Sequence, residues 1–513
     1  MVKISNNPLL PEDYQKVLFQ NEKITIDDDV LKNVEACYNF LVEFSNNKII
    51  YGVNTGLGPM AQYRIEDKNQ IELQYNLIRS HSAGTGEPIR PICVRAAMIS
   101  RLKSLSLGYS GIHPDAIKLI AELINNNVIP FIPRHGGVGA SGDLVQLSHL
   151  ALCLIGEGKA YHDGELQNTS DIFAKLKLTP LKIRLREGLG LINGTSVMSG
   201  IGIVNILKAK HLLNWSIIAS SIINELVESF DDHYSVVLNN VKKHGGQQVV
   251  ASSMRDILHD SSLIKKRSDN LYNGKIEEKI FKQKIQEYYS LRCVPQIIGP
   301  VYDTIKNSEE VLVNEVNSVN DNPVVDIKSQ HVYHGGNFHG DYVSFEMDKL
   351  KAAITKLSMV AERQLNFLMN NKLNDILPPF VNLGTLGLNL GMQGTQFTAT
   401  STVAENQTLA NPVYVHSIPS NNDNQDIVSM GTNSALMAKK VIDNTFEVLS
   451  IEFLTIIQAI DYLKIQDKLG EKSREVYDQL REIVPVFIND TPKYEELSKI
   501  NSYLRKEMPN IIK

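Results

Sequence analysis

His135-Gly136-Gly137-Val138-Gly139-Ala140-Ser141-Gly142-Asp143-Leu144-Val145-Gln146-Leu147 is the stretch from which the rest of the chain can be read. Four glycines fall within seven residues, and each gives up helix or strand stability for conformational freedom. Ala140-Ser141-Gly142 closes the run, just before an apolar pattern of helical spacing at Leu144, Leu147, Leu150, Ala151 and Leu154. A tight bend here brings the Gly142 nitrogen within reach of the Ala140 carbonyl carbon. Cyclisation with loss of water, and dehydration of Ser141 to an alkene, would give a methylidene-imidazolone ring, a strong electrophile built from the chain itself.

Two plainer readings compete at this point. Gly137-Val138-Gly139-Ala140-Ser141-Gly142 also satisfies the dinucleotide-binding G-x-G-x-x-G pattern ahead of a helix. That motif needs a buried strand before it. The preceding Val128-Ile129-Pro130-Phe131-Ile132-Pro133-Arg134-His135 carries two prolines, which suit an edge or a loop. The other plain reading is a structural turn.

Composition narrows the function classes. The chain has 513 residues, 43% hydrophobic and 21% charged, enough for a large core. A net charge of -5 gives no electrostatic case for nucleic acid. Cys37, Cys93, Cys153 and Cys293 form no C-x-x-C pair, which suggests neither zinc nor a disulfide framework and fits a reducing cytoplasm. Neither a signal peptide nor a membrane-length apolar run stands out.

Outward from the central stretch, several segments carry chemistry-bearing residues. Toward the N-terminus, residues 24–29 suggest a strand and 30–44 a helix. Tyr51-Gly52-Val53-Asn54-Thr55-Gly56-Leu57-Gly58-Pro59 must bend sharply and is a surface turn on its plain reading. Ser80 and His81 precede small residues, and residues 94–107 and 115–126 suggest helices. Toward the C-terminus, residues 161–171 suggest a hairpin or surface loop. Leu191-Ile192-Asn193-Gly194 carries an Asn-Gly turn signal, and 202–230 a long helix with an apolar stripe. The Lys- and Glu-rich residues 261–287 suggest a solvated face or loop. In Gln286-Glu287-Tyr288-Tyr289-Ser290-Leu291-Arg292, Tyr289 and Arg292 share a face if the segment is helical, and Arg292 offers a carboxylate a planar fork. Residues 317–323 suggest a turn, 332–338 a short strand leading into a loop, and 347–368 and 434–463 long helices. Glu405 and Gln425 lie in polar segments that could be plain structure.

The Ala-Ser-Gly-Asp segment resembles the prosthetic-group loop of the histidine, phenylalanine and tyrosine ammonia-lyases and the related aminomutases, and the likeness runs over almost the whole chain. The resemblance implies a 4-methylidene-imidazol-5-one (MIO) group formed from Ala140, Ser141 and Gly142, with no metal or diffusible cofactor. It implies Tyr51 as catalytic base and Asn193 as a holder of substrate and prosthetic group. It makes Arg292 the clamp on the substrate carboxylate, with Tyr289 (among the catalytic residues) and Gln286 lining the site. Phe338, Glu405 and Gln425 match residues near the substrate, and Ser80-His81 matches the pair that sets selectivity. The implied fold is mainly α: a mixed part over residues 1–200 carries the loop, and 201–513 form a central long-helix bundle with a helical tail. A homotetramer with sites shared between subunits is implied as well.

The implied reaction is loss of ammonia from an aromatic L-amino acid to give a trans-arylacrylate. Typical tyrosine lyases carry His-Leu at the selectivity pair, phenylalanine lyases Phe-Leu and histidine lyases Ser-His. This chain has the histidine-type pair, yet residues 143–147, 317–323 and the sequence as a whole resemble the bacterial tyrosine enzymes more closely. Tyrosine is therefore the expected substrate, with histidine next, then phenylalanine or an aminomutase outcome.

Overall fold

A computed structural model of the protein describes residues 1–272, 279–281, 284–509, 511 and 512. The Lys- and Glu-rich segment 261–287 lies partly outside the described residues. Among the described residues, helices dominate and strands of two to four residues form four small sheets.

The chain forms two compact units, each drawing on three separate stretches: residues 1–207, 308–348 and 412–438 in one, and 208–307, 349–411 and 439–513 in the other. A division at residue 200 describes chain order. The unit boundaries at 207, 307, 348 and 438 fall inside the helices Ser196–Leu226, Val294–Val316, Asp341–Met369 and Gly431–Leu463.

The two prolines before the glycine run act as expected. Ile129–Pro130 is the edge of a three-stranded sheet, and Pro133–His135 pairs with Thr85–Pro88 in a two-stranded one. No buried parallel strand feeds the glycines, which removes the structural requirement for a dinucleotide site. The polar segment 161–171, expected as a hairpin or surface loop, is an antiparallel hairpin of Lys159–His162 and Glu165–Asn168 whose end runs into a helix, Thr169–Leu176.

Four long helices make the bundle: Ser196–Leu226, Val294–Val316, Asp341–Met369 and Gly431–Leu463. In the first unit, Asn205 donates to the Ala435 carbonyl at 2.8 Å, Ser308 to Glu346 at 2.9 Å and Ser434 to Asp348 at 2.8 Å. In the second, Trp215 meets Phe453 edge-on at 5.3 Å and Gln364 donates to Ser220 at 2.9 Å. Ser196–Leu226 departs from the striped helix expected at 202–230. It starts and ends earlier and is buried almost all round, as an internal helix must be. Its interior serines suit this setting, because Ser199 and Ser221 each return their hydroxyl to the carbonyl four residues back. The strand expected at 332–338 is only His331–Tyr333, since Gly335 and Gly336 follow at once. The helix Gln393–Leu409 carries Glu405, in a polar segment assigned to no element from the sequence.

Candidate active site

The glycine run is held on several sides within the first unit. Met430 N–H donates to the Val138 carbonyl at 2.9 Å, and Ser429 Oγ and Gly340 N–H both donate to the Gly139 carbonyl at 3.0 Å. At Gly142 the backbone is left-handed (φ +70°), and a Cβ there would overlap the Gly194 carbonyl group. Gly142 bridges Gly194, whose carbonyl accepts Asp143 N–H at 2.8 Å. Gly194 is itself left-handed, and a Cβ on it would lie 2.6 Å from both Arg101 and the Asn320 side chain. Glycine is required at both positions by close backbone approach.

Ala140 and Gly142 are buried, while Ser141 between them is half-buried. Two amides reach Ser141. Asn193 Nδ2 donates to its carbonyl at 3.1 Å, and Gln425 Nε2 donates to its Oγ at 2.9 Å. Asn193 lies just past the short helix Glu187–Ile192, so its Asn-Gly signal marks a helix end at the site. These residues fit ring closure: the backbone is tightly bent, the nitrogen that must attack belongs to a glycine, and the oxygen that must leave accepts a hydrogen bond.

Asp143, the acid that follows the loop and has no role assigned from the sequence, is buried at this site. Fully buried, it accepts N–H bonds from Val197 and Met198 at 2.8 and 2.9 Å, together with the Thr432 hydroxyl. These donors lie in the first turns of Ser196–Leu226 and Gly431–Leu463, where the unpaired N–H groups favour an anion. Burial nevertheless pushes its carboxyl up to about 6, with the Thr432, Met198 and Val197 bonds opposing the rise. The signal available in the sequence was an acidic residue directly before an apolar helical run.

Tyr51 lies in the turn expected for it. Its phenol oxygen accepts Gly58 N–H at 2.9 Å, and its own N–H donates to His334 at 3.3 Å. Gln74, another residue the sequence reading passed over, is buried and bridges this turn to the helix that precedes Asn193. It donates to the Gly52 carbonyl and accepts from Leu189 N–H, both at 3.0 Å. Phe338 is half-buried two residues before Gly340, whose N–H holds the glycine loop. Ser80 and His81 end the helix Gln70–His81. The Leu77 carbonyl lies 3.0 Å from His81 Nδ1 and can only accept, so Nδ1 carries the proton and Nε2 presents a lone pair. Burial lowers the His81 pKa and keeps the ring neutral, with the Leu77 bond opposing.

The remaining expected residues lie in the second unit. Tyr289–Arg292 is a single helical turn, which places the Arg292 guanidinium 4.8 Å from the centre of the Tyr289 ring and against Gln286 Oε1. Arg292 also lines a cavity of about 570 Å³ with His233, Arg267 and Gln296. Glu405 is exposed, accepting from Asn444 Nδ2 at 2.7 Å with Lys440 at 3.6 Å.

The fold thus combines four long helices with a bent Ala-Ser-Gly turn that two side-chain amides reach. A family model described as aromatic amino acid lyase matches residues 9–482, and the chain belongs to that family. The tyrosine 2,3-aminomutase of Myxococcus sp. (strain Mx-B0) is 38% identical over 494 residues, covering 94% of this chain and 93% of that protein. The histidine ammonia-lyase of Staphylococcus aureus (strain bovine RF122 / ET3-1) is 36% identical over 510 residues, covering 98% of each. Among solved structures, tyrosine aminomutase from Streptomyces globisporus superposes with a TM-score of 0.94 at 33% identity, over 98% of this chain and 97% of that one. Histidine ammonia-lyase from Trypanosoma cruzi gives 0.88 at 30% identity, over 98% and 93%. The protein is therefore an enzyme of the lyase and aminomutase kind.

Proposed function

We propose that the protein removes ammonia from an aromatic L-amino acid to give a trans-arylacrylate, with L-tyrosine as substrate and trans-p-coumarate as product. The observation that carries this reading is the pair of amides, Asn193 and Gln425, on the bent Ala140-Ser141-Gly142 turn. Gln425 donates to the Ser141 Oγ that dehydration must release. Once formed, the MIO group supplies a carbon electrophile that makes the amine a better leaving group. Tyr51 takes the β-hydrogen. The planar fork of Arg292, steadied by Gln286 and the Tyr289 ring, holds the α-carboxylate, and such alignment can supply several kcal/mol of the barrier. Phe338 and Glu405 complete the substrate's surroundings. No metal or diffusible cofactor is needed for these steps.

The preference for tyrosine rests on His81 and on the tyrosine-acting relatives. A neutral ring with a bare Nε2 accepts a hydrogen bond, so it favours a substrate that donates one at the far end of its ring. The tyrosine phenol does, the histidine imidazole can, and phenylalanine cannot. Histidine is the second substrate reading, supported by the Ser80-His81 pair and by the histidine ammonia-lyases among the relatives. An aminomutase outcome, in which ammonia returns to the β-carbon, is supported by the tyrosine 2,3-aminomutases. We further propose a cytoplasmic homotetramer with shared sites. Exposed apolar side chains at Leu386, Leu388, Leu390 and Phe397 support self-assembly. Among the described residues, no helix is long and apolar enough to cross a membrane.

The test is to offer purified protein L-tyrosine, L-histidine and L-phenylalanine separately, with Ser141→Ala as control. Coumarate that vanishes in the variant is the expected result. Urocanate would move the substrate to histidine, and β-tyrosine would make the protein an aminomutase. An intact chain mass without the loss of two waters would end the lyase reading.

A further inference from the structure

Asn193 owes its direction to a turn far along the chain. Its Oδ1 accepts the Asn322 N–H at 2.8 Å, while its Nδ2 donates to the Ser141 carbonyl at 3.1 Å. The two bonds use opposite ends of one amide, so the first decides which end faces Ser141. The Asn322 N–H belongs to the main chain and is aimed only by the turn that contains it.

That turn, residues 320–323, is gripped by buried cations. Arg186 and Asp321 are both almost wholly buried and pair at 3.4 Å. Arg186 also donates to the Pro323 carbonyl at 2.8 Å and to the Ser110 carbonyl. Asn320 Oδ1 accepts from Ser104 Oγ at 3.0 Å and from Arg101 at 3.4 Å. Arg186 stands at φ +65°, a left-handed conformation costly for a residue with a Cβ. It directly precedes Glu187–Ile192, the six-residue helix that Asn193 follows. One short helix thus begins at the cation that grips the turn and ends at the amide that the turn orients.

We infer that the buried Arg186–Asp321 pair is a positioning device, holding the 320–323 turn so that the Asn322 N–H fixes the Asn193 amide with its NH₂ on the Ser141 carbonyl. This rests on the lyase reading above. The Ser141 oxygen is the carbonyl retained when Gly142 N closes on the Ala140 carbon, and it is conjugated with the alkene left by loss of Ser141 Oγ. A donor on that oxygen matters most as negative charge builds there, so it acts on turnover more than on substrate binding. Packing alone would not call for the pair, because apolar residues of similar volume serve stability as well as a buried ion pair or better. They would not aim a main-chain N–H.

The experiment uses the neutral double variant Arg186→Gln/Asp321→Asn in the full chain, which leaves no unpaired buried charge. Intact mass, kcat and KM are measured, with turnover counted per chain that has lost two waters. The expected result is kcat lower by about tenfold with KM within about twofold. In an Asn193→Ala background the same double change should produce no further fall, because the pair acts through Asn193. An unchanged kcat in the folded variant, a rise in KM alone, or an additive fall beside Asn193→Ala would overturn the inference. If the double variant does not fold, Ser104→Ala loosens the Asn320 end of the turn without stranding a charge. A kcat about threefold lower at constant KM is then expected, and an unchanged kcat overturns the inference. Wild-type protein showing neither the mass loss nor turnover would remove the lyase reading as well, so the two failures are distinguishable.

Discussion

Ser141 is half-buried between two buried neighbours, so the side chain that the proposed ring formation would change is also the one with room to react. Gly142 is constrained more strongly: its left-handed backbone and its approach to Gly194 both exclude a Cβ. Gly142→Ala should therefore abolish the two-water mass loss and activity together, while circular dichroism still reports a helical protein. His81 offers a second test at this scale. Replacing it with Leu removes the acceptor, and tyrosine kcat/KM should fall by roughly ten- to a hundredfold while phenylalanine turnover holds or rises. Because burial lowers the His81 pKa, the ring takes up its proton at a lower pH than a free imidazole does. Any rise in KM for tyrosine as pH falls should therefore begin below about 6.5, and a KM that already climbs above that value would contradict the neutral-acceptor account.

At the scale of elements, the first turns of two long helices converge on Asp143. Burial raises its pKa to about 6 in the folded chain, so between the ordinary carboxylate value near 4 and about 6 the folded state holds a proton that the unfolded chain has released. Stability contributed at this site therefore falls as pH rises through that window and levels off above it, by a few kcal/mol at most. Unfolding midpoints of the wild type and Asp143→Asn, followed from pH 4 to 7, should diverge across the window in the wild type's disfavour. Parallel curves would mean that the carboxyl is not perturbed. The turn Tyr289–Arg292 carries another element-scale consequence. Lysine cannot reproduce the guanidinium fork or its contact with the Tyr289 ring. Arg292→Lys should cost roughly a hundredfold in kcat/KM, mainly through KM, with the two-water mass loss intact.

Over the whole molecule, Leu388 and Phe397 are apolar side chains exposed on the single chain, and the proposed homotetramer would cover them. Sedimentation should give a particle of four chains, and charged substitutions at Leu388 and Phe397 should lower both assembly and activity. Much of the architecture was legible from local pattern. The prolines at 130 and 133 argued against a central strand and for an edge or a loop, and edge strands are found there, while the apolar spacing of 347–368 and 434–463 announced long helices. Local pattern misjudged Ser196–Leu226, because a helix buried on every side needs no polar face, and its serines and asparagines look like solvent-facing residues. Of the candidate site, the Ala-Ser-Gly loop was legible from residue type at close spacing, whereas the roles expected of Tyr51, Asn193 and Arg292 came from the family resemblance. Gln74, Asn322 and Thr432 could not be named, because each acts through a partner more than a hundred residues away. The sequence by itself therefore determined which residues can form the ring, that Arg292 offers a carboxylate a planar fork, and which family the chain resembles, since these follow from covalent chemistry and near neighbours. Only the tertiary structure decided which amide end meets Ser141, which nitrogen of His81 is bare and what Asp143 holds, because hydrogen-bond direction is set by groups that folding alone brings within 3 Å or so.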